Sequence, residues 1–432
     1  MHAEDREILR LAVPAFLALV AEPLFLLADS VIVGHLGTTE LAGLGIAGAV
    51  LSTLVSLCVF LAYGTTAAVS RRIGAGDLRE ALTLGIDGIW LAVGIGVLTT
   101  AAGLASATTL VDVFDPSGPV ATQALEYLRI ALLGVIPLLV MLAATGILRG
   151  LQDTRTPLLV AVVGNVANVG LNVWFVYGLD LGIAGSAWGT LIAQVGSAVA
   201  LVAVVLRAAR RHRTPLLPRL GGIRGAGRDG VPLLLRTITL RASLLVMTYG
   251  ATSFGDADLA AMQIAMTLWT FLAFGLDAIA IAAQALTGRF LGAGDLDRVR
   301  SVTRRMLRWG VWSGVLTGVG LAVLAPFVGA LFTPDRAVQD LLWPVLLIAA
   351  LGQPVAGVVF VLDGVLIGAG DGRYLAKAGL LVLVGFAPLA WLAITAGGTL
   401  VWLWAAFVVA FMGGRCVVLM ARERTDAWMT VG

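Results

Sequence analysis

Glu22, Pro23 and Asp29 lie inside the first long apolar stretch of the chain, where a membrane helix should carry none of the three. Glu22 and Asp29 are seven residues apart, about 700° of helical rotation, so they share a face roughly 10 Å apart along the axis. An ionisable group at membrane depth is costly unless it faces a polar cavity, so its position marks function. A carboxylate so placed can take up and release a proton, or hold a cation. Pro23 has no N–H to give to the Leu19 carbonyl, so the helix is weakened beside Glu22 and can hinge there. The structural alternative is that Pro23 only kinks a packed helix while Glu22 reaches for an interface.

A second polar group recurs further along. Asn168 and Asn172 are one helical turn apart on one face, with Asn165 nearly aligned. Amides inside a membrane helix need partners, either on neighbouring helices or in a wet cavity. In the second half Arg236, Arg241, Asp277, Gln284 and Asp363 interrupt apolar segments. Pairing of Arg236 with Asp277 or Asp363 would neutralise buried charge; contact with substrate is the other use of such a group. Met141, Trp174, Met262, Met266 and Trp269 could bind amphipathic cations, and could equally be plain core.

These residues need membrane helices to position them. Of the 432 residues 59% are hydrophobic and only 13% charged, against about 25% charged in soluble proteins. Such a chain cannot present a polar surface on all sides, so it is a polytopic membrane protein. Apolar segments fall at 8–33, 42–70, 82–111, 123–147, 157–178, 183–206, 231–253, 259–287, 304–331, 339–367, 374–396 and 399–420, each able to cross about 30 Å of hydrocarbon. Arginines crowd alternate connections, from Arg71, Arg72 and Arg79 to Arg422 and Arg424. Arg336 is the only Arg or Lys on the opposite set. The positive-inside rule then puts both termini in the cytoplasm.

The chain repeats itself. Gly74-Ala75-Gly76-Asp77-Leu78 returns as Gly292-Ala293-Gly294-Asp295-Leu296, 218 residues later, and the same displacement pairs Gly150, Asp153 and Arg155 with Gly368, Asp371 and Arg373. The expected fold is therefore all-α: twelve transmembrane helices in two six-helix bundles related by a pseudo-two-fold axis along the membrane normal. The lobes are 1–206 and 231–432, joined by a basic cytoplasmic linker at 207–230. Glu22, Asp29 and Asn172 map onto Leu240, Met247 and Ala390, so the scaffold repeats while the charges do not.

Several chemistries lack a seat. Cys58 and Cys416 are the only cysteines, and His2, His35 and His212 are expected outside the bilayer core, so no metal or disulfide framework is expected. The Gly-Ala-Gly-Asp turns lack the Gly-Lys-Ser/Thr ending of a phosphate loop. The net charge of +3 comes from loop arginines rather than a nucleic-acid face. No cleavable signal peptide is expected at the amino terminus.

Leu27-Ala28-Asp29-Ser30-Val31-Ile32-Val33-Gly34-His35-Leu36-Gly37 resembles the first-helix signature of multidrug and toxic compound extrusion (MATE) transporters, DinF-like branch. Leu235-Arg236-Thr237, Leu276-Asp277, Gln284 to Gly288 and Leu362-Asp363 to Gly368 extend the similarity. The resemblance implies a two-lobed exporter driven by H⁺ or Na⁺, with Asp29 as its coupling carboxylate and Thr190 as a nearby hydroxyl. Members often carry Asn and, four residues on, Asp in segment 5. Here those positions are Asn168 and Asn172, so the second acid is absent. Glu is also found where this chain has Gln284. Glu22 is our candidate for the missing acid.

The expected function is a cation-coupled antiporter, with H⁺ favoured over Na⁺, exporting amphipathic or cationic drugs or metabolites across the plasma (inner) membrane. The alternatives are a lipid or lipid-linked oligosaccharide flippase, for which Arg236 and Arg241 would bind phosphate, and a membrane-embedded transferase. No cofactor, nucleic acid or obligatory protein partner is expected, only a small-molecule substrate and membrane lipid.

Overall fold

The computed structural model describes residues 3–431; His2 is therefore outside the described residues, with Met1 and Gly432. No strand occurs among them. Eleven helices are single pieces long and apolar enough to cross a membrane, and a bent pair supplies the twelfth. They are α1 (Ala3–Gly34), α2 (Thr38–Gly74), α3 (Leu78–Asp112), α4 (Gly118–Leu133 and Val135–Gly150), α5 (Arg155–Gly178) and α6 (Gly182–Arg211). The second series is α7 (Leu220–Phe254), α8 (Asp256–Gly292), α9 (Leu296–Phe332), α10 (Arg336–Gly368), α11 (Gly372–Thr395) and α12 (Leu400–Arg424). The sequence expectation of twelve spans holds.

Local chemistry explains the breaks. The two pieces of α4 meet at 45° around Gly134. Pro137 has no N–H to return to the Leu133 carbonyl there, which frees the turn. By contrast α1 stays helical through Pro23. The repeated Gly-Ala-Gly-Asp-Leu turns are built alike. Gly76 and Gly294 take φ of 79° and 72°, and Asp77 and Asp295 cap α3 and α9 by accepting from Glu80 N at 2.9 Å and Arg298 N at 3.0 Å.

The repeat reaches into the packing. A Cβ added to Gly146 would lie 2.5 Å from the Ala62 carbonyl, and one on Gly150 3.0 Å from that of Thr66. At the matching positions of the second half, Gly364 and Gly368 approach the carbonyls of Ala280 and Gln284, each at 2.3 Å from the added atom. In both halves two glycines one turn apart let the fourth helix (α4, α10) lie directly on the backbone of the second (α2, α8).

The chain divides into two compact units. One contains α1 from Leu17, α2 to α6 and α7 as far as Gly230; the other contains α1 up to Phe16 and everything from Val231. Helix begins at Leu220 rather than near 231, so the second half of the linker expected at 207–230 is the start of α7, and residues 3–16, expected in the amino-terminal lobe, group with the second unit. The first unit packs Val69, Ala81, Ala144, Ile147, Leu148, Leu201 and Val205 into a core from α2, α3, α4 and α6. In the second, Trp269, Phe386, Trp404, Phe407 and Phe411 form an aromatic cluster. Trp269 belongs to that core.

Gly364→Ala should destabilise the protein by about 1–3 kcal/mol, because the neighbouring backbone has to move. Gly385→Ala, which meets nothing within 4 Å, should change stability by less than about 1 kcal/mol. Thermal unfolding of the purified protein in detergent measures both.

Candidate functional site

Asp29 is only 3% exposed, and α4, α5 and α6 each turn a polar side chain toward it. Asn172 Nδ2 donates to Asp29 Oδ1 at 2.9 Å, Ser186 Oγ donates to the same oxygen, and the Tyr127 hydroxyl donates to Oδ2 at 3.4 Å. The network continues outward. Asn172 Nδ2 also donates to Asn168 Oδ1 at 3.1 Å, and Asn168 Nδ2 to Thr190 Oγ1 at 3.0 Å. All six side chains are buried. Asp29 has no ion-pair partner among the described residues, so its carboxylate is held by hydrogen bonds alone.

Sequence spacing explains the convergence. Asn168 and Asn172 are one turn apart on α5, and Ser186 and Thr190 are one turn apart on α6, so two short polar ladders face each other. Glycines bring them together: a Cβ on Gly185 would lie 2.8 Å from the Phe175 backbone, and one on Gly189 2.1 Å from Asn172 Oδ1. That oxygen is buried and has no donor.

α1 is clipped to α5 on both sides of Asp29. Asn165 Nδ2 donates to the Ala21 carbonyl at 2.9 Å, and the Tyr177 hydroxyl to the Ile32 carbonyl at 2.7 Å. Asn165 therefore serves the backbone beside Pro23 and does not enter the Asp29 network. Glu22 is exposed and also outside it.

The second unit has its own charged centre. Asp363 accepts from Arg236 Nη2 at 2.6 Å and from Arg415 Nη2. Asp363 and Arg415 are buried, and the Arg415 guanidinium also sits over the Phe411 ring. The space beside them is about 10 Å³, room for a water molecule and for no substrate. Of the two partners weighed for Arg236, Asp363 is the ion pair seen; Asp277 is half-buried and Gln284 buried. Arg241 is exposed. Among the described residues no group of His, Cys, Asp and Glu side chains could hold a metal ion.

The MatE family model matches the chain twice, over residues 14–174 and 232–392, and the two matches are displaced by the same 218 residues as the repeat. The chain belongs to the MatE family. As a MATE protein it is a transporter of the multidrug and toxic compound efflux class and a polytopic membrane protein, not an enzyme. It is 33% identical to Protein DETOXIFICATION 44, chloroplastic, of Arabidopsis thaliana, over 88% of this chain and 74% of that one. It is 29% identical to DNA damage-inducible protein F of Escherichia coli strain K12, over 99% and 95% of the two chains, in line with the DinF-like branch. A crystal structure described as MATE in the bent conformation superimposes with a TM-score of 0.91, at 23% identity, over 99% of this chain and 96% of that one.

In this MATE chain the structure thus gathers Asp29, Asn168, Asn172 and Thr190, leaves Glu22 apart, and adds three residues that sequence reading passed over. Ser186 was legible as the residue one turn before Thr190. Arg415 was legible as an arginine inside an apolar segment, which is costly without a partner. A π-helical stretch, Phe407–Gly413, leads straight into it. Tyr127 gave no signal beyond being one of five tyrosines.

Ser186→Ala removes a donor to a buried carboxylate and should lower transport about tenfold or more. Ser197→Ala, at a buried serine on the same helix outside the network, should leave the rate within about threefold. Transport rates in proteoliposomes at matched protein content decide.

Proposed function

We propose that this MATE transporter is a proton-coupled antiporter of the plasma (inner) membrane, with cytoplasmic termini, that exports amphipathic drugs or metabolites by alternating access. The observation that carries the reading is the Asp29 carboxylate, buried with no counter-charge among the described residues and held by three donors. A sodium ion favours several anionic oxygen ligands, whereas Asp29 is the one acid among the six buried side chains of this network. A proton needs only a change of hydrogen bonding.

Asn172 suits that change. While Asp29 is ionised, the amide donates to it. Once Asp29 is protonated its O–H requires an acceptor, and a half-turn of the Asn172 amide offers Oδ1 in place of Nδ2. Aspartate at this position would instead add a second buried negative charge. Loss of charge on Asp29 also loosens the bonds from Ser186 and Tyr127 that hold α1 to α6 and α4. Bending of α1 at Pro23, where the Leu19 carbonyl lacks its helical donor, then turns a proton step into a change of shape. A related fold described in a bent conformation supports a cycle of this kind. Asn168, whose Oδ1 accepts from Asn172 Nδ2, turns with it, and the Thr190 hydroxyl then donates to Asn168 instead of accepting. Glu22, about two turns before Asp29 on the same helix, receives the proton from solvent.

The lipid-flippase alternative needs free cationic side chains for phosphate. Of its two candidates Arg236 is committed to Asp363, which favours efflux, and the exposed Arg241 is the one left to that reading. The Arg236–Asp363–Arg415 centre is then a fixed ionic crosslink, with Asp277 and Gln284 in the same helix bundle.

In proteoliposomes with imposed pH or Na⁺ gradients and a panel of dyes, the pH gradient alone should drive wild-type transport, and Asp29→Asn should abolish it. Full proton-driven transport by Asp29→Asn, or drive by Na⁺ alone, defeats the mechanism. Glu22→Gln should alter the pH dependence of the rate; an unchanged profile removes Glu22 from the proton path.

A further inference from the structure

Ion pairs outside the Asp29 site fall into a pattern that the repeat makes visible. On α3 the Asp87 side chain, 1% exposed, accepts from Arg219 three times: from the backbone N at 3.1 Å, Nε at 3.0 Å and Nη2 at 2.8 Å. Glu80, two turns earlier, binds the same guanidinium at 3.2 Å. Trp90, close to one turn after Asp87, donates its indole N–H to the Leu216 carbonyl at 3.1 Å. Arg219 directly precedes α7, so these contacts fix the entry of α7 against α3. Gly222 leaves the space: a Cβ there would fall 1.9 Å from Asp87 Oδ2.

The residue 218 positions after Asp87 is Arg305. On α9, Arg305 Nε donates to Asp5 Oδ1 at 2.7 Å, and its Nη2 binds the other carboxylate oxygen. Trp309, one turn after Arg305, donates its indole N–H to Asp5 Oδ1 at 3.0 Å. Asp5 lies in the first turn of α1. Arg289 to Glu7 at 2.9 Å and Ser301 to Glu4 at 2.7 Å extend the grip. The third helix of each half thus uses a charged residue at one repeat position, plus a tryptophan about one turn later, to hold the entry of the other half's first helix. The charges are exchanged. On α3 an acid holds an arginine; on α9 an arginine holds an acid.

Opposite polarity makes the docking unambiguous. Asp5 brought to Asp87, or Arg219 brought to Arg305, would meet like charge with buried partners, so each entry fits one helix only. α1 and α7 are also the two helices divided between the compact units, after Phe16 and after Gly230. In each case both partners of the ion pair belong to one compact unit, while the rest of the helix that follows belongs to the other.

We propose that Asp87–Arg219 and Arg305–Asp5 are a pair of clasps, on the side of the arginine-rich loops, that hold the starts of α7 and α1 in one state of the transport cycle and open in the other. The inference rests on the alternating-access reading above and uses neither Asp29 nor the coupling ion. Two ion pairs of opposite polarity weight one state, and their release is part of the conformational step rather than of substrate or proton binding.

Hydrogen exchange on the full-length protein in nanodiscs, with transport measured in proteoliposomes, tests the clasps. Asp87→Asn should raise exchange at amides 216–224 about tenfold or more and leave amides 4–12 unchanged; Arg305→Gln should do the reverse. Asp5→Arg alone should behave as Arg305→Gln, and Asp5→Arg combined with Arg305→Asp should restore protection, which also answers the case of a single variant that fails to fold. Opening both clasps should lower transport about tenfold or more with Asp29 intact. Unchanged exchange in the single variants overturns the proposal, as does failure of the charge exchange to restore protection. Raised exchange with wild-type transport in the doubly opened protein means static packing and overturns it too. Failure of the coupling mechanism would look different: Asp29→Asn would transport normally while the exchange pattern stood.

Discussion

A carboxylate buried among apolar helices without a counter-charge has to be held by donors, and in this protein the arrangement of the amino-terminal helices follows from holding Asp29. Three helices each supply one hydrogen bond, and a fourth, α1, carries the acid itself. Gly185 and Gly189 let α6 approach α5 closely enough for both polar ladders to reach it. Asn165 and Tyr177 tie the α1 backbone on either side, at Ala21 and Ile32. Each of these contacts is modest alone. Together they make the position of α1 depend on whether Asp29 can accept hydrogen bonds, which is the link the proposed mechanism uses.

The two halves share a scaffold and divide the chemistry. Glycines at 146, 150, 364 and 368 set the same close crossing in both, and the Asp77 and Asp295 caps start α3 and α9 in the same way. The polar centres differ. The first half keeps an acid that has no ion-pair partner among the described residues in a cage of neutral donors, suited to a change of protonation. The second ties Asp363 to two guanidiniums, an arrangement strongly destabilised by removal of one partner and therefore suited to permanence. Packing that tolerates no added atom leaves little freedom to vary, while polar positions facing a cluster can be reassigned one residue at a time.

Much of this was legible in the chain itself. Twelve apolar segments, the alternation of arginines and the 218-residue displacement follow from composition and register, and all twelve helices lie where the segments predict. Asp29 stood out because charge at membrane depth is expensive, and Asn168 and Asn172 because amides at helical spacing need partners. Glu22 shared that logic yet stays outside the cage, since seven residues of spacing align two side chains on a face without bringing them within reach. Ser186, Tyr127 and Arg415 depend on which helix packs on which, and spacing within one segment carries no such information. The helical start of α7 at Leu220 was hidden by the Arg, Pro and Gly content of the linker. Just before it Arg219 docks on Asp87, a tertiary contact that local propensity does not register.

Antiport through Asp29, as proposed, requires that substrate binding and protonation of that carboxylate exclude one another. Purified wild-type protein in weakly buffered detergent solution, mixed with a transported dye beside a pH indicator, measures this directly. The account predicts release of a proton on dye binding to the wild type and none with Asp29→Asn, which should still bind the dye. Equal proton release by Asp29→Asn, or dye binding to the wild type with no release at any pH, would contradict it.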